Sequence, residues 1–194
     1  GEEAYPGYSP TFAGDFYRSN VAFYLDLETD VTDNLLVGGA VRYEDFTDMG
    51  SKVTYKATTL FRATDWLSLR GSAATGFHAP TPGQQQFSAL TTELTDDGAL
   101  IESGVIPSTS PVAQAVGGEQ LRPETSRSFT LGAVINTDNF NLTIDYYNIR
   151  MDDRLTQSQS YALTDAQRDA LTAEGFGAAA GLGTFRFFTN DFSS

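Results

Sequence analysis

Apolar and polar side chains alternate with a period of two along most of this chain, the period at which successive side chains of a β-strand face opposite ways. Between Val21 and Leu27 the apolar set is Val21, Phe23, Leu25 and Leu27, with Ala22, Tyr24 and Asp26 between them. A second run sets Leu35, Val37, Gly39, Val41 and Tyr43 against Gly38, Ala40, Arg42 and Glu44. The third opposes Val53, Tyr55, Ala57 and Phe61 to Lys52, Thr54, Lys56, Thr58 and Arg62, and Thr59 and Leu60 break its rule. In the fourth, Leu67, Leu69 and Ala73 oppose Ser68, Arg70 and Ser72; in the fifth, Phe129, Leu131, Ala133 and Ile135 oppose Ser128, Thr130 and Gly132. The sixth is the cleanest, with Phe140, Leu142, Ile144 and Tyr146 against Asn141, Thr143, Asp145 and Tyr147. A seventh begins near Phe185. The pattern predicts an all-β chain, an antiparallel up-and-down meander of about seven strands.

The connections carry a second regularity. Asp33-Asn34, Thr64-Asp65 and Asp138-Asn139 read as tight turns, because Asp and Asn tolerate turn geometry. The others are Asp48-Met49-Gly50, a loop of about 45 residues from Phe77 to Leu121, and one from Asp152 to Thr184. The two classes alternate along the chain, so in a meander one end of the sheet is trimmed and the other elaborated. Transmembrane barrels are built this way, with short turns on one side and long outer loops on the other. Within the last loop, Thr164-Asp165-Ala166-Gln167 fits a capping box and Gly175 suits the residue after a last helical turn. One short helix is predicted over Asp165–Glu174.

Composition narrows the function classes. The chain has no Cys and one His, His78, which removes thiol chemistry and any multi-His metal site. Gly (18), Phe (14) and Tyr (9) suit strands and turns. Twelve Lys and Arg against 25 Asp and Glu give a net charge of −13, and phosphate binding needs clustered bases, so nucleic acid is not an expected partner. No stretch reaches the roughly 18 apolar residues of a spanning helix, which does not bear on a barrel whose strands alternate. Gly1-Glu2-Glu3-Ala4-Tyr5-Pro6 lacks the basic and apolar regions of a signal peptide, and the chain stops just after a new strand opens; both ends read as cuts.

A soluble sandwich also alternates, so the two faces decide. In a sandwich the apolar face is a core, whereas in a barrel it meets lipid, with aromatics near both interfaces. Here Phe23, Tyr43, Tyr55, Phe61, Phe129, Phe140 and Tyr146 fall on the apolar face. The opposite face mixes charges, Asp26, Arg42, Glu44, Lys56, Arg62, Arg70 and Asp145, as a lumen or polar plug would require. Trp66, beside a tight turn, reads as an interfacial anchor. His78 has no partner at ligand spacing and reads as a rim residue. Asp96-Asp97 and Asp152-Asp153 lack the spaced oxygens and glycine of a calcium loop. The long loop, with Glu93, Asp96, Asp97, Glu102 and Glu119 and no Lys or Arg, reads as a solvated acidic surface rather than a site for a cation. No catalytic set, cofactor site or metal site stands out.

Several segments, in order along the chain, carry a family resemblance. Leu69-Arg70-Gly71-Ser72-Ala73-Ala74-Thr75-Gly76-Phe77-His78-Ala79-Pro80-Thr81-Pro82-Gly83-Gln84 resembles the barrel of TonB-dependent receptors, where a strand ending Thr-Gly-Phe-Arg-Ala-Pro opens a long outer loop. Leu121-Arg122-Pro123-Glu124-Thr125-Ser126 is similar to the Leu-x-Pro-Glu-x-Ser that opens the returning strand. Ile144-Asp145-Tyr146-Tyr147-Asn148-Ile149, Phe187-Phe188-Thr189-Asn190 and Arg42-Tyr43-Glu44-Asp45-Phe46-Thr47-Asp48-Met49-Gly50 also look like that family. His78 departs from the usual Arg.

The resemblance implies an open segment, residues 1–194, of a large transmembrane barrel without its plug domain, TonB box or C-terminal strands. It implies a Gram-negative outer-membrane receptor for active uptake of a scarce nutrient of the siderophore-iron, cobalamin or oligosaccharide type. Its partners would be TonB, through the plug, outer-membrane lipid and lipopolysaccharide, and a small nutrient or metal chelate. Asp26, Arg42, Glu44, Lys56, Arg62, Arg70 and Asp145 would face the lumen; Phe77, His78, Gln84, Gln85 and Phe87 are outer-loop candidates for ligand contact. A passive porin and a secreted all-β adhesion or carbohydrate-binding module are the alternatives.

Overall fold

The computed structural model describes residues 14–94, 98 and 100–192. The N-terminal stretch Gly1–Pro6 and the acidic pair Asp96-Asp97 lie outside them. In chain order the elements are β1 (Asn20–Thr32), β2 (Leu35–Phe46), β3 (Gly50–Arg62), β4 (Leu67–His78), α1 (Pro82–Gln86), β5 (Ala89–Leu94), β6 (Leu100–Val105) and α2 (Pro111–Gln114). There follow β7 (Glu124–Thr137), β8 (Phe140–Asp152), β9 (Arg154–Gln157), β10 (Tyr161–Ala162), α3 (Asp165–Ala173), α4 (Gly177–Ala180), β11 (Thr184–Arg186) and β12 (Phe188–Phe192). The chain divides into two compact units.

The first unit is the meander. Six long strands pair antiparallel in the order β1-β2-β3-β4-β7-β8, and they are the six alternating runs of the sequence. Strand β3 pairs without a register shift through Thr59 and Leu60. The broken alternation there is thus a change of side chain and not a bulge: Leu60 stands on the polar face, opposite Leu36 and Arg70. At one end the strands join through Asp33-Asn34, residues 63–66 and Asp138-Asn139. At the other, residues 47–49 make a fourth short turn, so only two of the three connections grouped there are elaborated. That turn is tied down by Arg18, whose Nε donates to both Asp48 carboxylate oxygens at 2.9 Å and whose guanidinium lies 6.0 Å from the Phe46 ring centroid. His78, Glu124 and Asp152 end their strands at this same edge, so both long segments leave the sheet there.

The sheet builds no core of its own. Among its described residues large apolar side chains stand exposed, Phe23 at 68% and Ile144 at 59%, while Glu44 is buried. A sandwich half would have its apolar row covered.

The second unit contains Ala79–Arg122 and Arg154–Phe192, and its core draws on both segments. Leu90, Ile106, Val112 and Ala113 come from the first; Leu163, Leu171, Ala180, Leu182, Phe185 and Phe187 come from the second. The predicted helix is α3, with both halves of the capping box formed between Thr164 and Gln167 and with Gly175 at φ 93°. Three further short helices accompany it, beyond the single one expected.

The strand expected near Phe185 is extended, but it does not join the meander. It is β11, which pairs antiparallel with β10 and parallel with β6. The reason is burial: Phe185 is 1% exposed in the pooled core, so its hydrophobic gain is satisfied there. The next strand, β12, pairs with β9, which follows β8 after Asp153 at φ 55°.

Candidate functional site

The registers sort the sheet into two faces. Asp26 pairs with Ala40, Ala40 with Lys56 and Lys56 with Ala74; Arg42 and Glu44 lie on the same side of β2 as Ala40. Arg62 pairs with Ser68, Arg70 with Gly132 and Gly132 with Asp145. All seven charged residues expected at the lumen therefore share one face, on five of its six strands.

Two ion pairs form on that face. Arg42 donates from Nε to Glu44 Oε1 at 2.8 Å, two residues along its own strand. Arg70 reaches across a whole strand, its Nε donating to Asp145 Oδ1 at 3.0 Å and Nη2 to Oδ2. Gly132 makes that reach possible: a Cβ there would stand 2.8 Å from Arg70 Nε and 2.9 Å from Arg70 Cγ. Asp26 and Lys56 are held apart by Ala40, and a depression of about 250 Å³ lies beside them, lined also by Glu28, Leu36 and Thr58. Ser72 and Thr130 hydrogen-bond at 2.8 Å. The face is thus polar and charged, with Arg42 and Arg70 each paired to a carboxylate, as would suit a water-filled or plugged interior.

The other face is an apolar band. From Leu35 to Tyr43 on β2 it runs eight residue steps, about 27 Å of strand. Tilted by about 40°, that projects to about 21 Å, near the roughly 25 Å lipid-facing band of an outer-membrane barrel. Beyond Phe129 and Tyr146 the same side carries Arg127 and Arg150, directly opposite each other. Alternation carried two steps past Phe129 and four past Tyr146 places both on the apolar side, a signal in the sequence beyond the runs described above.

The loop candidates do not form one cluster. Phe77 meets Phe46 edge to face at 5.9 Å, and His78 Nδ1 lies 3.2 Å from Glu124 Oε2, both within the sheet unit. Gln84 is used locally: its Oε1 accepts from Thr81 N at 2.9 Å, completing the cap of α1. Gln85 keeps its Nε2 buried without a hydrogen-bond partner. Phe87 is exposed, edge-on to Phe188 at 6.2 Å. Among the described residues no three His, Cys, Asp or Glu side chains gather at metal-binding distance.

A family model, TonB dependent receptor-like, beta-barrel, matches residues 2–191. The chain belongs to this family. The siderophore receptor PirA from Pseudomonas aeruginosa superposes with a TM-score of 0.64 at 14% identity over 91% of this chain and 29% of that one. A mutant of the ferric enterobactin receptor PfeA from the same organism gives 0.63 at 12% over 96% and 25%. PirA from Acinetobacter baumannii gives 0.61 at 16% over 91% and 24%. This TonB-dependent receptor chain therefore spans 24% to 29% of these solved receptors, and at these identities the likeness is one of fold. No curated protein matches it. No helix among the described residues is long and apolar enough to cross a membrane, which leaves crossing by strands open.

Proposed function

We propose that this chain forms part of the barrel wall and outer loops of a TonB-dependent receptor in a Gram-negative outer membrane, and that the receptor takes up a ferric siderophore. The observation that carries the reading is the two-faced sheet, with an uncovered apolar band of membrane height behind a charged face on which Arg42 and Arg70 are ion-paired. In this reading the apolar band meets lipid. Asp26, Arg42, Glu44, Lys56, Arg62, Arg70 and Asp145 face the lumen, where they solvate the plug and the passing ligand.

The unit built from residues 79–122 and 154–192 then stands outside the cell. Long loops on one side of a barrel face outward, and pooling two of them on one core makes a preorganised binding surface rather than two floppy strands. On this unit the ligand-contact candidates are Phe87, which is exposed, and Gln84 and Gln85 of α1; Phe77 and His78 remain candidates on the sheet unit. The siderophore class rests on the fold shared with siderophore receptors. Energy for uptake would come through TonB acting on a plug.

The deciding experiment follows radiolabelled ferric siderophore into iron-starved cells whose full-length receptor gene is intact or deleted, with and without a proton uncoupler. Uptake lost on deletion and on uncoupling is expected. Uptake that survives the uncoupler would mean a passive porin, and uptake indifferent to deletion would remove the siderophore assignment.

A further inference from the structure

Arg122 closes the first long segment, and Pro123 and β7 follow it. Asn190 lies 68 residues further on, in β12 at the end of the second segment. Its side chain takes hold of both backbone groups of Arg122: Oδ1 accepts from Arg122 N at 2.7 Å, and Nδ2 donates to Arg122 O at 2.8 Å. A side-chain amide carries a donor and an acceptor on one group. It therefore copies the two hydrogen bonds that a residue of an antiparallel strand exchanges with its partner. The residue before a proline favours an extended backbone, the shape such a pairing needs.

The clasp sits beside an aromatic pair drawn from the same two segments. Side chains alternate along β12, so Phe188 and Asn190 share one side, while the neighbouring Phe187 is buried in the pooled core. Phe188 meets Phe87, of the first segment, edge to face at 6.2 Å, and Phe87 stands exposed. Two rings on separate segments present a fixed surface only if the segments hold still with respect to each other. The pooled core and the pairing of β6 with β11 also join the segments, but the clasp is the joint two residues from Phe188.

We propose that Asn190 is a positioning residue for ligand binding. By fixing β12 to the end of the first segment it sets Phe188 against Phe87, so that the aromatic pair is formed before cargo arrives. The inference rests on the reading of this unit as the ligand-binding surface of a siderophore receptor. A surface ordered in advance loses less conformational freedom on binding, so the clasp acts on affinity and not on passage through the barrel.

The test is made on the full-length receptor in iron-starved cells, with a ferric triscatecholate and a ferric trihydroxamate carrying radiolabelled iron. Asn190→Ala should raise the half-saturating concentration for uptake about tenfold, the equivalent of one to two hydrogen bonds. The maximal rate per receptor at the cell surface should stay unchanged, whereas a merely structural loss would lower it. Asn190→Asp, equal in size but without the donor, should behave as Asn190→Ala. Asn190→Gln, which keeps both groups on a stem one carbon longer, should recover part of the loss. Phe87→Ala should add little on top of Asn190→Ala, because both act through one surface. Without any cargo, hydrogen exchange of the purified receptor in detergent should show Arg122 and 188–192 losing protection together in Asn190→Ala. An unmoved half-saturating concentration, a fall in the maximal rate alone, full activity in Asn190→Asp, or additive effects of Asn190→Ala and Phe87→Ala would each overturn the positioning role. If the natural receptor takes up neither chelate, the siderophore assignment falls instead, and the clasp is judged on exchange: unchanged protection at Arg122 and 188–192 would overturn it.

Discussion

At the scale of single residues, the clasp over Gly132 shows how one missing side chain sets an interaction between strands that are not neighbours. Arg70 and Asp145 are half and one-third exposed in their side chains, so the pair by itself is worth at most about 1 kcal/mol, as for other solvated ion pairs. Steric exclusion is the larger effect, since a methyl at position 132 would collide with the Arg70 side chain as well as with the carboxylate. In the full-length receptor Gly132→Ala should cost about 1–3 kcal/mol, the range for inserting a carbon into filled space, and Asp145→Asn less than about 1 kcal/mol. Equilibrium urea refolding into lipid vesicles measures both, and a Gly132→Ala no worse than Asp145→Asn would show that the clasp has room to spare. The two faces make a second contrast. Leu142→Arg puts a charge into the lipid band and should cost about 2–4 kcal/mol near its middle. Thr143→Arg, one step on and facing the other way, should be tolerated in the same refolding assay; equal costs would contradict the assignment of faces.

At the scale of elements, what the sequence disclosed depended on how local each cause was. The six strands of the meander were legible because period-two alternation and Asp-Asn turns are written in adjacent residues. Helix α3 was legible for the same reason, since Thr164, Gln167 and Gly175 mark both its ends within one short segment. Helix α1 carries a similar box, Thr81 with Gln84, yet went unread because Pro82 and Gly83 signal a loop and no apolar periodicity follows. The common polar face was legible from alternation, but not the bridge from Arg70 to Asp145, which links residues 75 positions apart. The pooled core was invisible, because a parallel pairing of β6 with β11 leaves no mark in either segment. Its dependence on Phe185 can be tested. Removing a ring that is 1% exposed, by Phe185→Ala, should cost the second unit about 3–5 kcal/mol. Hydrogen exchange should then lose protection over 100–106 and 161–173 together while β1–β4 stay protected. Loss confined to 184–187 would mean that the two segments do not share one cooperative core.

At the scale of the whole molecule, two opposed tendencies meet in one chain. The net charge of −13 favours solubility, but charge acts over the entire surface while the apolar band is contiguous. Phe23, Leu25, Tyr43, Tyr55, Phe61, Leu69, Phe129, Leu131, Leu142 and Ile144 all stand exposed on one side of the sheet. Together they exceed the few hundred square ångströms of apolar patch usual for a soluble monomer. Charge cannot cover such a patch; lipid or detergent can. Among the described residues the sheet also ends on two long strands, β1 and β8, each with one side unpaired in the order β1-β2-β3-β4-β7-β8, and an open edge recruits other strands. The second unit offers a useful contrast, because its apolar residues are buried in a core of ordinary kind. Residues 1–194 expressed alone should therefore sediment as large assemblies in detergent-free buffer and as a small, monodisperse species in detergent, despite the repulsion among their carboxylates. Raising the salt concentration should worsen the aggregation, since it screens that repulsion and leaves the apolar band unchanged. A monomer in plain buffer that melts cooperatively would mean that the band finds cover within the chain itself, and the lipid-facing reading would then have to be given up.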